Sequence, residues 1–311
     1  MADTRPVDLL AGRPALVVGG GRMGLAVAQI AAAAGIAVTV VEPGEATRAS
    51  APERLRQIFR LQGQPEDRAA LVRVVADIGE APADTALAIE AAPENVELKR
   101  NIFRRLDEIC PGDAILATNT SVIPVRRIAA DVRDKSRVVG THFWNPPYAV
   151  RLVEVVRSDD TSEQTLERTM AIMAAVGQQP VRVNKDIPGF IGNRLQHALK
   201  REAIALVQAG VCDAETVDTV VKASFGARLG IMGPLEQSDL VGLNLTLAIH
   251  EVILPDLDTS RAPQKLLVDL VAAGHTGVTT GEGFRKWTPE SRTELQTRLD
   301  RTLGGKKAGR S

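Results

Sequence analysis

Ala15-Leu16-Val17-Val18-Gly19-Gly20-Gly21-Arg22-Met23-Gly24 is the stretch whose reading decides the fold. A short apolar run ends in a glycine turn, and residues 23–34 beyond it are almost all alanine and aliphatic, as expected of a helix packed tightly on a sheet. The glycines are ordered G-x-G-x-x-G, a pattern that carries meaning only between a strand and a helix, which is where it stands here. Gly19 permits the tight turn, Gly21 lets the backbone approach a pyrophosphate, and Gly24 lets helix and strand pack closely. The first turn of the helix, with Met23, then presents free N–H groups and a partial positive charge to the phosphates.

Glu42 stands eighteen residues after Gly24, at the end of the next expected strand. A carboxylate there accepts hydrogen bonds from both ribose hydroxyls and repels a 2′-phosphate, so NAD is favoured over NADP. Pro43 and Gly44 offer no arginine to a phosphate, although Arg48 lies nearby.

From Pro14 to about Asp186, β-branched runs alternate with alanine- or charge-rich helical stretches, the pattern of a parallel sheet covered on both faces. Strands are expected at residues 15–18, 38–42, 72–78, 86–91, 114–118, 138–143, 151–157 and 181–184. Past Asp186-Ile187-Pro188-Gly189 the strand-like runs stop, and amphipathic helices are expected at 190–209, 214–224, 234–251 and 262–273. The fold class is therefore α/β, a Rossmann-type doubly wound sheet followed by a separate all-α C-terminal domain. Domains are placed at 1–187 (NAD-binding), 188–303 (helical) and 304–311 (a disordered tail), with residues 1–13 as a polar, proline-containing arm.

Composition excludes more than it selects. In 311 residues, 38 basic side chains balance 38 acidic ones with no basic block, which argues against nucleic acid or an anionic membrane as main partner. There is no bilayer-spanning apolar run and no signal-peptide pattern, so a soluble cytoplasmic protein is expected. Cys110 and Cys212 are too few and isolated for a disulfide framework or a zinc cluster, and no metal is expected.

The chemistry is carried by Thr141-His142-Phe143-Trp144-Asn145-Pro146-Pro147, with Glu154 twelve residues after the histidine. His142 sits where a strand runs into a loop, at the sheet edge where open α/β folds bind ligands. If residues 138–143 and 151–157 are the arms of a hairpin turning near Tyr148, Glu154 falls opposite His142, six residues on each side of the tip. A carboxylate on Nδ1–H fixes the tautomer and stabilises the imidazolium once formed. His197, His250 and His275 have no such partner in the sequence and read as ordinary core or surface side chains.

The chain resembles the 3-hydroxyacyl-CoA dehydrogenase family along nearly its whole length. The resemblance rests on Gly19–Gly24, residues 94–99 (Glu-Asn-Val-Glu-Leu-Lys), Asn119-Thr120-Ser121, residues 142–146, residues 152–155, residues 188–194 and Gly233-Pro234-Leu235. It implies a helical second domain that mediates homodimerisation, and a site in the cleft between the domains. It also implies His142 as general base with Glu154 as its partner, and Ser121 and Asn193 as hydrogen-bond donors to the reacting oxygen. Asn145 would join them in binding a small-molecule substrate, and Glu94, Lys99 and Asn119 would lie along the cofactor. An exposed helix-start acid and a surface lysine explain Glu94 and Lys99 as well.

Two departures bear on the substrate. Members that use CoA carry a lysine-rich helical finger between the second and third strands, whereas residues 43–75 look short and hold no lysine, only Arg48, Arg54, Arg56, Arg60, Arg68 and Arg73. Before Gly233 the chain inserts Phe225-Gly226-Ala227-Arg228-Leu229-Gly230-Ile231-Met232, similar to relatives that oxidise free hydroxy acids, such as the lambda-crystallin/gulonate and pyridine-carboxylate dehydrogenases. There Arg228 is either a grip on a substrate carboxylate or part of a structural salt bridge. Three readings follow: an NAD-dependent oxidoreductase acting on a 3-hydroxyacyl compound, most simply an L-3-hydroxyacyl-CoA; the same chemistry on a free hydroxy acid or hydroxymethyl carboxylate; and a non-catalytic dinucleotide-binding structural protein, against which the presence of Ser121, His142, Glu154 and Asn193 together argues.

Overall fold

The computed structural model describes residues 5–304, which divide into two compact units: Leu195–Leu299, and the described residues on either side of it. In chain order the first unit runs α1 (Pro6–Leu9), β1 (Ala15–Val18), α2 (Arg22–Ala33), β2 (Val38–Val41), α3 (Glu45–Leu61), β3 (Val72–Val75), β4 (Leu87–Glu90), α4 (Val96–Ile109) and β5 (Ile115–Thr118). It continues through α5 (Val125–Ile128), β6 (Val138–Phe143), β7 (Leu152–Val156), α6 (Glu163–Ala175) and β8 (Gln179–Val183) to the start of α7 (Gly192–Gln208).

The eight strands form one sheet in the order β3-β2-β1-β4-β5-β6-β7-β8. All neighbours are parallel except β6 and β7. Buried on both faces, β1, β2, β4 and β5 are enclosed at every position, which is why they read as apolar runs rather than alternating ones. The two-residue period survives in where the side chains go. Val17 joins Leu25 and Ala28 of α2 in one core, while Leu16 and Val18 join Phe103 and Leu106 of α4 in the other. The chain winds outward from β1 to β3 and returns to β4 beside β1, opening a crevice beyond the carboxyl ends of these two strands.

Three expectations for this unit are corrected. The N-terminal arm folds where it is described: α1 opens on Pro6, and Leu10, only 1% exposed, anchors it in the core around α2 and α6. The third strand stops at Val75 rather than residue 78, because Asp77 caps a 3-10 turn (Ile78–Glu80) and the Glu80 carboxylate accepts from the N–H groups of Ala76 and Asp77. The eighth begins at Gln179, with Pro180 tolerated on an edge strand.

The second unit is helical: the rest of α7, then α8 (Ala214–Ala223), α9 (Phe225–Arg228), α10 (Pro234–Val241), α11 (Leu243–Ile253), α12 (Lys265–Ala272) and most of α13 (Pro289–Gly304). The single helix expected over 234–251 is two, broken at Gly242, whose φ of +95° leaves the helical region. Helices α9 and α13 were not foreseen. Gly304 closes α13, and the remainder of the expected tail lies outside the described residues. No helix among the described residues is long and apolar enough to cross a membrane.

Candidate active site

At the mouth of β1 the glycines are locked by contact. A Cβ on Gly24 would stand 1.8 Å from the Gly19 carbonyl oxygen, so any side chain there forces α2 off the sheet. A Cβ on Gly21 meets nothing within 4 Å, which leaves open space beside the helix terminus where the sequence places a pyrophosphate. The Met23 side chain packs toward the core. Gly20, which the sequence reading passed over, is as constrained as its neighbours: its N–H donates to Glu42 Oε2 at 2.8 Å, and a Cβ would lie 2.7 Å from Glu42 Cβ. The other Glu42 oxygen accepts from Gly44 N–H at 2.8 Å, so the carboxylate is fixed at the end of β2.

At the mouth of β4 lies a buried charge cluster. Glu90 is fully buried and Lys99 is 1% exposed, which removes the reading of Lys99 as a surface lysine. Lys99 Nζ donates to Glu90 Oε1 (2.7 Å) and the Ala92 carbonyl (3.1 Å), and lies 3.4 Å from Glu94 Oε2. Its three donors are thus engaged by the protein itself, and any direct contact with a cofactor would compete with them. Burial pushes the Glu90 carboxyl up, against the pull of Lys99, Thr118 and the Ala92 N–H. Burial acts in the same direction on Glu94, but there the Thr120 hydroxyl, the Lys99 charge and the Val122 N–H outweigh it and hold the carboxyl below its usual value. Glu94 Oε1 accepts from the Thr120 hydroxyl and from the N–H groups of Ser121 (3.1 Å) and Val122 (3.2 Å), and so shapes the loop after β5. Glu90 was missed from sequence; its signal was an acid closing an otherwise apolar strand, Leu87-Ala88-Ile89-Glu90.

His142 and Glu154 are direct cross-strand partners in the antiparallel β6–β7 pair, the register expected from the spacing. His142 Nδ1 lies 2.7 Å from Glu154 Oε2, and both side chains are buried. Glu154 Oε1 accepts from the N–H groups of Ile191 (2.9 Å) and Gly192 (3.0 Å), where α7 begins. Burial raises the Glu154 carboxyl, but its hydrogen bonds from His142, Gly192 and Ile191 outweigh this and hold it below the ordinary glutamate value. An ionised Glu154 only accepts, so Nδ1 carries the proton and the Nε2 lone pair is left for a ligand.

The surrounding residues converge on this pair. Asn119 Oδ1 accepts from Phe143 N–H at 2.9 Å, tying the loop after β5 to the residue beside His142. Asn193 Nδ2 donates to the Ser121 carbonyl at 3.0 Å, and the Ser121 hydroxyl has no partner among the described residues. Asn145 is exposed and precedes a cis peptide bond to Pro146. Arg228 ends α9 in the helical unit, is exposed, and makes no ion pair among the described residues, so the structural salt bridge is not formed there.

Comparison with known families decides the class. The family model of the 3-hydroxyacyl-CoA dehydrogenase NAD-binding domain matches residues 15–187, and that of its C-terminal domain matches residues 189–287. The chain belongs to the 3-hydroxyacyl-CoA dehydrogenase family. It is an oxidoreductase with NAD as cofactor, and the open space at Gly21 and the fixed Glu42 carboxylate fit that cofactor. Among relatives within or beside the family, it is 32% identical over 296 residues to a 5-formyl-3-hydroxy-2-methylpyridine 4-carboxylate 5-dehydrogenase of Mesorhizobium japonicum, covering 92% of this chain and 94% of the relative. It is 37% identical over 277 residues to a probable 3-hydroxybutyryl-CoA dehydrogenase of Bacillus subtilis, covering 86% and 95%. A crystal structure of the pyridine-carboxylate enzyme, described as an NAD+-dependent dismutase, superposes with a TM-score of 0.87 at 31% identity, covering 94% of this chain and 96% of that one.

Proposed function

We propose that this member of the family reversibly oxidises a 3-hydroxy compound to its 3-keto form, with His142 as general base. The supporting observation is the 2.7 Å His142–Glu154 hydrogen bond, which commits Nδ1 and leaves Nε2 to take a proton. NAD supplies the hydride acceptor. In the oxidative direction His142 Nε2 removes the hydroxyl proton while Glu154 offsets the charge of the imidazolium; in reverse the imidazolium returns it. The Ser121 hydroxyl and the second amide proton of Asn193 supply fixed dipoles to the oxygen on which charge develops. Asn145 closes the substrate side, and Gly19, Gly21, Met23, Gly24, Glu42, Glu94 and Asn119 lie along the cofactor, with Lys99 acting through Glu94.

The free-acid reading of the substrate has specific support. Between β2 and β3, Arg56 and Arg60 pair with Glu53, Arg60 also pairs with Glu66, and Arg73 donates to the Glu80 carbonyl. Two of the six arginines of this region are thus ion-paired within the chain, whereas Arg228 makes no ion pair among the described residues and suits a carboxylate. We further propose a cytoplasmic homodimer joined through the helical unit. Support comes from α10 and α11, which leave Leu235, Leu240, Leu247 and Val252 more than half exposed.

The experiment is NADH oxidation with acetoacetyl-CoA beside a panel of free 3-keto acids, using His142→Ala as control. Turnover should fall about 10²- to 10⁴-fold in the variant, the usual worth of a general base. Full activity of His142→Ala would overturn the base assignment. Turnover of the CoA ester alone would overturn the free-acid reading, and Arg228→Ala should raise KM for free acids.

A further inference from the structure

Resting on the reading of His142 as base, we propose that Trp144 is a positioning residue. Its indole is the wall that holds the imidazole plane and keeps water off the His142–Glu154 hydrogen bond, and residue 192 is glycine because that wall occupies the space of a side chain.

Four observations converge. The His142 ring lies against two aromatic rings, with centroids 5.3 Å from Trp144 and 5.7 Å from Phe190, each tilted by 53°. Phe190 is fully buried and takes a φ of +48°, a conformation an aromatic residue adopts only when its surroundings impose it. A Cβ on Gly192 would stand 2.3 Å from Trp144 Cζ2 and 3.1 Å from Cη2, so the benzo edge of the indole rests on the backbone whose N–H holds Glu154 Oε1. Finally, Trp144 Nε1 is buried with no hydrogen-bond partner among the described residues. Such a group costs about 1–3 kcal/mol, and a phenylalanine would fill a merely apolar wall without that cost. What tryptophan adds is reach across to Gly192.

The arrangement acts on the base through its surroundings. With His142 4% and Glu154 1% exposed, the hydrogen bond between them lies in a low-dielectric pocket, where it is stronger and the ring rotamer is fixed. Displacing the indole turns the imidazole and admits water, and misplacement of a reacting group by about 1 Å costs up to roughly a hundredfold in rate.

The test uses the full-length chain, NADH and acetoacetyl-CoA, or acetoacetate if the ester is not turned over. Gly192→Ala should lower kcat by about tenfold or more with NADH affinity unchanged, because its methyl group displaces the indole. Trp144→Phe removes the clashing atoms, so the double variant Gly192→Ala/Trp144→Phe should recover the kcat of Trp144→Phe alone. Trp144→Ala should lower kcat and move the pH dependence of kcat/KM, with little change in KM. A Gly192→Ala defect that persists in the double variant overturns the pairing. A Trp144→Ala enzyme with the kcat and pH profile of the parent overturns the positioning role, and if that variant does not fold, the Gly192→Ala rescue decides. Failure of the underlying reading is distinguishable, since it would leave His142→Ala active.

Discussion

The sheet unit and the helical unit solve burial differently. In the first, β1, β2, β4 and β5 are enclosed along their whole length, and even charged groups such as Glu90 and Lys99 are inside. In the second, Gln264 is the one buried residue among residues 195–299. A compact unit of about 100 residues ordinarily removes some two-thirds of its chain surface from water. The sheet unit therefore stakes its structure on individual atoms held in fixed partnerships, and the helical unit on apolar area that it does not cover by itself. One should be sensitive to single polar atoms, the other to what lies against its faces.

The largest effect expected from that contrast is Lys99→Ala, which leaves Glu90 buried without its counter-ion and should cost roughly 3–5 kcal/mol in urea unfolding. Removing an exposed lysine of the helical unit, Lys200→Ala, should change stability by less than about 0.5 kcal/mol. Equal losses from the two would dissolve the distinction. Next comes Val252→Glu, which sets a charge in an apolar face of α11 that is 80% exposed in the single chain. If a second copy covers that face, sedimentation velocity should show dimerisation weakened by at least about tenfold, equivalent to about 1.4 kcal/mol. A parent protein that sediments as a monomer would sink the proposal.

The smallest effect concerns acid. Glu154 is held below its ordinary value of 4.5, so the stability it lends is complete above that value and is lost as pH falls through its lower folded value. The gap in melting temperature between the parent and Glu154→Gln should therefore narrow below pH 4.5. A gap that stays constant down to about pH 3 would show that the carboxylate is not held in this way.

How much could be read in advance followed the range of the forces involved. The His142–Glu154 register was legible because strand period and hairpin symmetry are local properties. The turn at Gly19–Gly24 was legible for the same reason. The break at Gly242 was not, since a glycine inside a helical pattern costs only about 1 kcal/mol and the apolar periodicity runs on through it. For Lys99 the sequence leaves a cofactor contact and a surface lysine both open, because its burial against Glu90 depends on the packing of α4 over β4. Gly192 could not be interpreted without knowing where the Trp144 ring lies.

The reversal of strand direction between β6 and β7 has a consequence for descent. His142 and Glu154 are opposite one another across an antiparallel pair, and β7 is held on its other side by β8, so a change in the loop between β6 and β7 that keeps both pairings leaves the two residues opposed. A single codon gained or lost inside Leu152–Val156 ahead of Glu154 would instead turn the carboxylate to the far face of the sheet. Insertions and deletions that alter this loop are thus open to an evolving lineage, while those within the strand are lethal to the His142–Glu154 pair. On the proposed role of His142, substrate range can drift by loop length with the pair inherited intact.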